Sequence, residues 1–360
     1  MKVLQIVSFV GLLLPNLLAQ TKGSSSQFPS YMGDVFDFAT FTRFDATAPP
    51  KSLIYQSNGF MALQESGFGG QRIIVPVAGP TAPVNEGERL EALDIAAPIF
   101  EDESGQTFSL SDNTAKHSLT YFADRSVYRA TFDNGLRVSL TIYPVYGKPA
   151  AVLRVVVHSP KRGRVTVQTR GLGFQIVPSS ESRSLRYGDS KWPYRLLLAA
   201  DSQAAVQNGR FQWELSAGGA ATLIITLGGN EREAEMSLAD LRSSPDLLDG
   251  ETHRLWNEYL ASVPLVAPAE PVRFTISALN KEETIAPQEL VRSELWFWRG
   301  LLNTTCQVRY LTACPMMIAD WNDFMGMWSN DGIAEAIAMA ATNRRDLARA
   351  AILNWFRYAV

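Results

Sequence analysis

From about Phe36 to about Gly229 the chain alternates apolar and polar residues in short runs. Side chains of a strand point to opposite faces in turn, so alternation marks a strand with one buried face. "QRIIVPVAG", "VYRATFDNGLRVSLTIYPV", "AAVLRVVVHS" and "GRVTVQTRGLGFQIV" are such runs, rich in β-branched and aromatic residues. Asp133-Asn134-Gly135 interrupts one of them and predicts a hairpin. "RLLLAADSQAAVQNGRFQWELSAGGAATLIITLGG" continues the pattern, with a second turn at Asn208-Gly209. Many closely spaced strands without intervening helices predict a large antiparallel β-sandwich. The cluster "SGFGGQ" (66–71) lacks the Lys-Ser/Thr ending of a phosphate loop and reads as a tight turn before a strand at 72–77.

Beyond Gly229 the period changes. In "SSPDLLDGETHRLWNEYLASVP", Leu255, Trp256, Tyr259 and Leu260 recur at helical spacing until Pro264. This predicts a linker helix that turns an aromatic face toward a neighbouring domain. A Pro- and Ala-rich joint, "PLVAPAEPV", follows. Three further helices are predicted. The first opens at Pro287 and Glu289 and carries Leu290, Glu294, Phe297 or Trp298, and Leu301 on one face. The second begins at Asn330 as cap, with Asp331 and Glu335 in its early turns. The third pairs Asn343 with Asp346 in a capping box and shows Leu347, Ala351, Trp355 and Tyr358 on its apolar side. Ala-rich helices with short connections suggest helical hairpins, and three of them leave apolar faces for other helices to cover.

Composition narrows the classes. The 360 residues carry 33 basic and 36 acidic side chains, interspersed, with a formal net charge of -3. No basic stripe is present, so nucleic acid and anionic membrane surfaces are not expected partners. At the N-terminus Lys2, the apolar run Val3 to Leu14 and "PNLLAQ" form a signal-peptide pattern, with cleavage expected after Ala19. The mature chain is then expected outside the cytoplasm, secreted or periplasmic, and not in a membrane. Cys306 and Cys314 lie close together in "CQVRYLTAC". In an exported chain they can form a disulfide; two buried free thiols are the alternative. "NTT" at Asn303 fits an N-glycosylation sequon near a helix end.

The chemical inventory excludes several enzymes. His117, His158 and His253 are the only histidines, and none stands at metal-ligand spacing from another or beside a cysteine. Nucleophile-elbow, dinucleotide and P-loop fingerprints are missing, and no cofactor is expected. What remains is "ADWNDFMGMWSNDGIAEA" (319–336), where aromatic rings stand among carboxylates in a loop entering a helix. An indole face packs on the apolar face of a pyranose, and carboxylates accept hydrogen bonds from its hydroxyls. The candidate ligands are Trp321, Asp323, Trp328 and Asp331. On spacing alone, Trp321, Phe324 and Trp328 serve equally as core anchors, and Asp331 as a charge answering the helix dipole.

The segment Thr252 to Val360 resembles the six-hairpin, (α/α)6-barrel glycoside hydrolases, most closely family 63 and the related family 37 trehalases. "MWSNDG" is similar to their W-x-W-D sugar-binding motif, with Trp328 and Asp331 matching and Asn330 in place of the second Trp. "HRLWNEYLASVP" resembles their linker helix and "DLARAAILNWFRYA" a following barrel helix. The resemblance implies a β-sandwich, a linker helix and then a barrel, with an oligosaccharide or glucoside as substrate. It implies inverting hydrolysis, in which one carboxylic acid protonates the leaving oxygen and one carboxylate activates water. That pair belongs to later barrel loops, so no residue here is expected to be catalytic. Trp328 and Trp321 are implied to stack, and Asp331 and Asp323 to hold hydroxyls. The expected organisation is signal peptide 1–19, polar linker 20–35, β-sandwich 36–245, linker helix and joint 246–286, and the start of an incomplete barrel at 287–360. The chain is then an inverting, α-glucosidase-like enzyme present as an N-terminal portion. A non-catalytic carbohydrate-binding or structural protein is the alternative.

Overall fold

The computed structural model describes residues 39–43, 55–78, 87–177, 184–188, 194–201, 204–243, 245–276, 281–306, 316–317 and 329–358. The signal-peptide and polar-linker expectations lie outside them. In chain order the first strands are β1 (Phe41–Arg43), β2 (Tyr55–Ser57), β3 (Ala62–Gly67), β4 (Gly70–Ala78), β5 (Gly87–Ile95), β6 (Ile99–Asp102), β7 (Thr107–Ser109), β8 (Lys116–Tyr121) and β9 (Ser126–Thr131). They continue with β10 (Arg137–Val145), β11 (Ala150–His158), β12 (Gly163–Gly171), β13 (Gln175–Val177), β14 (Ser184–Gly188), β15 (Arg195–Ala200), β16 (Ala205–Gln207), β17 (Arg210–Leu215) and β18 (Ala220–Gly228).

These strands form two antiparallel sheets. One runs β1-β8-β9-β10-β11-β18-β15-β14-β13. The other runs β16-β17-β12-β5-β4-β3-β2, with β6 paired to β12 and β7 to β6. The predicted hairpins fall where the turn residues stand. Phe132 and Leu136 close the turn before β10, with Gly135 donating its N–H to the Phe132 carbonyl at 2.9 Å. At the β16–β17 turn Asn208 has φ 49° and Gly209 φ 79°, the left-handed pair that a type I′ hairpin needs. "SGFGGQ" is the β3–β4 turn, with Gly67 paired to Gly70.

The period of two decides which side of the first sheet each residue serves. Val138, Leu140 and Ile142 of β10, Leu153, Val155 and Val157 of β11, and Leu223, Ile225 and Leu227 of β18 fill the space between the sheets. Their neighbours Tyr143, Val145, Val152, Leu197, Ala199 and Ile224 face the other way. That outer face is apolar because a helix covers it.

The covering helix, α1 (Glu231–Ser243), was not expected from the β pattern. It buries Ala234, Leu238 and Leu241 on the outer face. Its start is a capping box. Asn230 Oδ1 accepts the Glu233 N–H at 3.0 Å, and Glu233 reaches back to the Gly229 N–H at 3.0 Å. The Thr226 hydroxyl, fully buried, donates to the Ala234 carbonyl at 2.9 Å, so the polar residue on this face is satisfied.

The predicted linker helix is α2 (Pro245–Leu260). Its Trp256, Tyr259 and Leu260 are buried as the spacing predicts. The joint holds a short hairpin, β19 (Val272–Ile276) with β20 (Lys281–Ile285), where only an irregular segment was expected. The three later helices are α3 (Pro287–Asn303), α4 (Ser329–Ala340) and α5 (Arg345–Tyr358). Between α3 and α4, β21 (Thr305–Cys306) pairs with β22 (Met316–Met317).

Three details of the helical reading are corrected. The buried face of α3 is Val291, Leu295, Trp298, Leu301 and Leu302, one position on from Leu290 and Glu294, while Phe297 is exposed. A stripe anchored on a carboxylate is displaced because the core takes the apolar neighbour instead. Helix α4 starts at Ser329, so Asn330 lies in its first turn rather than at its cap. Asn343 does not cap α5. Its side chain donates to the Glu258 carbonyl at 3.3 Å, and Arg344 holds the cap position, with its carbonyl accepting the Leu347 N–H at 3.1 Å.

Candidate functional site

The stretch 319–336 joins β22 to α4. Trp321, Asp323 and Trp328 lie outside the described residues. Asp331 is in the first turn of α4, and its side chain lies outside them too. What the structure gives is the frame around this stretch: a two-residue ladder on one side and a helix start on the other. Cys306 stands in β21 and Cys314 lies outside the described residues, as does any pairing between them.

The approach to the stretch is anchored to the sandwich. Asn303, the last residue of α3, is 4% exposed, and its Oδ1 accepts the Ser57 N–H of β2 at 3.1 Å. The sequon asparagine is therefore engaged in packing. Just after β2, Asn58 ties two turns together. Its Nδ2 donates to the carbonyls of Lys148 and Ala150 at 2.7 Å each, and its Oδ1 accepts the Phe60 and Met61 N–H groups at 2.9 and 3.1 Å.

Arg299 makes the second anchor. It is buried on α3, donates from Nε to the Ala123 carbonyl at 3.0 Å, and lies over the Trp296 ring at 4.6 Å. Burial lowers its pKa to about 10, with Asp124 and Tyr121 opposing that shift. Trp296 in turn meets Tyr121 of β8 edge to face at 6.4 Å.

The far end of α4 is also pinned. Ala336, Ala338 and Met339 pack with Leu347, Ala348 and Ala351 of α5. At the turn between them Asn343 N–H donates to the Ser262 hydroxyl at 3.0 Å. Arg344 lies over the Tyr146 ring at 5.4 Å and donates to its hydroxyl. Helix α4 has 12 residues, so Asp331 projects about 15 Å from this pinned turn at 1.5 Å per residue.

A charged cluster that the sequence reading did not single out sits where α2 meets the β8–β9 turn. Asp124 is fully buried and takes both Arg125 Nε, at 3.0 Å, and Arg125 Nη2, at 2.6 Å. From α2, Asp249 pairs with Arg125 at 2.8 Å and His253 Nδ1 approaches Asp124 at 3.6 Å. Burial pushes Asp124 up, but His253 and Arg125 outweigh it and hold its carboxyl below the usual value. The Asp124 carboxylate raises His253 above the usual histidine value despite its partial burial. The only sequence signal was the adjacent pair Asp124-Arg125. Among the described residues no group of three His, Cys, Asp or Glu side chains could hold a metal ion, and no helix is long and apolar enough to cross a membrane.

Comparison of the sequence with protein families and with curated proteins finds no match. Among solved structures the chain is similar to a putative kojibiose phosphorylase from human microbiome, at 8% identity and a TM-score of 0.47, over 75% of this chain and 42% of that one. It is also similar to a bacterial glucoamylase complexed with acarbose, at 8% identity and a TM-score of 0.48, over 87% of this chain and 52% of that one. The chain thus spans about half the length of these two proteins or less.

Proposed function

We propose that the chain is the sandwich and first helical hairpins of a carbohydrate-active enzyme of the six-hairpin type, and that residues 318–331 bind a sugar. One observation carries the reading. A stretch dense in indoles and carboxylates spans β22 to the first turn of α4, and both flanking elements pack on α5. Fixed ends let a loop hold several side chains toward one ligand at modest entropic cost. The order of sandwich, linker helix and helical hairpins supports the same reading, as does the family resemblance of Thr252–Val360.

The finer proposal is an exported, α-glucosidase-like enzyme that hydrolyses with inversion. Its acid and base would come from further barrel loops. Ile337, Leu353 and Phe356 are 48%, 55% and 61% exposed, which supports further helices packing on α4 and α5. By this reading the 360-residue chain alone binds gluco-oligosaccharides without cleaving aryl α-glucosides or disaccharides. Calorimetric titration with a maltose-to-maltopentaose series tests the site. Asp331→Ala is expected to weaken binding about tenfold or more, the loss of one charge-assisted hydrogen bond. Affinity equal to that of the unsubstituted chain would remove the site assignment.

A further inference from the structure

The charged cluster at the α2 joint has a geometry of its own. One turn of α2 presents Asp249 and His253, four residues apart and so on one face. Opposite stand Asp124 and Arg125 of a tight turn, closed by the Phe122 N–H donating to the Arg125 carbonyl at 2.8 Å. The charges are matched crosswise, Asp249 to Arg125 and His253 to Asp124. Behind the turn, Arg299 of α3 holds the Ala123 carbonyl and feels the Asp124 charge. Both α2 and α3 therefore dock on the same four residues of the sandwich.

The two cross-pairs differ in kind. Arg125 is held charged throughout the working range, because Asp124 and Asp249 together outweigh its burial. The imidazole changes charge near neutrality. Its side chain is 48% exposed, so protons reach it, while Asp124 is sealed. When His253 is neutral, Asp124 keeps its Arg125 bonds and is not left as an orphaned buried charge. Losing the imidazolium therefore removes one attraction without creating a large penalty. That combination permits a reversible switch rather than unfolding.

We propose that His253 and Asp124 form a proton-operated latch between the linker helix and the sandwich, closed by the imidazolium and loosened by the neutral ring. The groups facing His253 are Asp124 and Arg125 of the turn and Asp249 of its own helix, with Arg299 of α3 behind Asp124. Arg254 is occupied with Glu258 at 2.6 Å. The sign follows from the direction of the His253 shift. A pKa raised on docking means the added hold is complete below the ordinary histidine value of 6.5 and fades as pH rises through the higher, docked value. Acid conditions thus hold α2 more firmly against the β8–β9 turn, and alkaline conditions loosen that hold while the Arg125 pairs remain.

Hydrogen exchange on the 360-residue chain at pH 5.5 and pH 8.5, corrected for the intrinsic pH dependence of exchange, tests the latch. The opening constant of peptides covering 122–126 and 249–257 is expected to be about threefold or more larger at pH 8.5. His253→Gln, at a half-exposed position, is expected to abolish that difference. His253→Lys, permanently charged, is expected to keep the joint protected at both pH values. His117→Gln, on β8 in the sandwich, is expected to leave the response intact. Equal protection of the unsubstituted chain at both pH values, or a pH response that survives in His253→Gln, would overturn the proposal.

Discussion

Single residues at the joint carry more than their sequence context announces. Glu294 reads as a member of the apolar stripe of α3, yet it lies half-buried beside it, accepting the Val266 N–H at 2.8 Å. Burial pushes its pKa up to about 7 from 4.5, against that hydrogen bond. The folded state therefore binds the proton more tightly than the unfolded chain. Stability is greatest below pH 4.5 as far as this group is concerned, and falls as pH rises toward 7. Glu294→Gln keeps an acceptor for Val266 and removes the charge. It is expected to raise stability at pH 8 by about 1 kcal/mol and to flatten the dependence between pH 5 and 7. Urea denaturation at several pH values measures both, and an unchanged midpoint at pH 8 would contradict the assigned burial. Arg299 could not be foreseen either. Nothing local in "WFWRGLL" says that the arginine turns inward to a carbonyl 176 residues away.

At the scale of elements, legibility followed the strength of the local pattern. The strands and their turns were readable because side-chain alternation and Asn-Gly or Asp-Asn-Gly chemistry act over a few residues. The linker helix was readable because Trp256, Tyr259 and Leu260 sit at one helical face. Helix α1 was missed, since only three of its 13 residues are buried and the rest are largely charged or small. The capping pair Asn230 and Glu233 was its one sequence signal. The doubly apolar strands β10, β11 and β18 also pointed to a cover, because a strand apolar on both faces must be buried on both. Leu238→Ala removes the middle contact of α1 and leaves a cavity in the cluster that it shares with Leu197 of β15 and Ile224 of β18. A loss of about 2–4 kcal/mol is expected in chemical denaturation. A loss below about 0.5 kcal/mol would mean that α1 does not seal the sheet. The frame of the candidate site was legible only as a helix start. Asn303, Asn58 and Asn343, which fix it, bond across the chain and leave no periodic trace.

At the scale of the molecule, a sandwich holds helices by one short turn, the buried Arg299 and Asn303, and β22 and α4 stand at the two ends of an aromatic and acidic stretch. The residue types in that stretch, indoles beside carboxylates, are those that the proposed sugar site requires. The reading stands on the chemistry of Trp321, Asp323, Trp328 and Asp331 together with the fixed ends of their segment. The most direct test locates the ligand rather than its consequences. Hydrogen exchange of the 360-residue chain, with and without saturating malto-oligosaccharide, is expected to show protection confined to peptides covering 318–335. Protection elsewhere on the chain, or none at any concentration, would contradict the assignment of this stretch as a sugar-binding site.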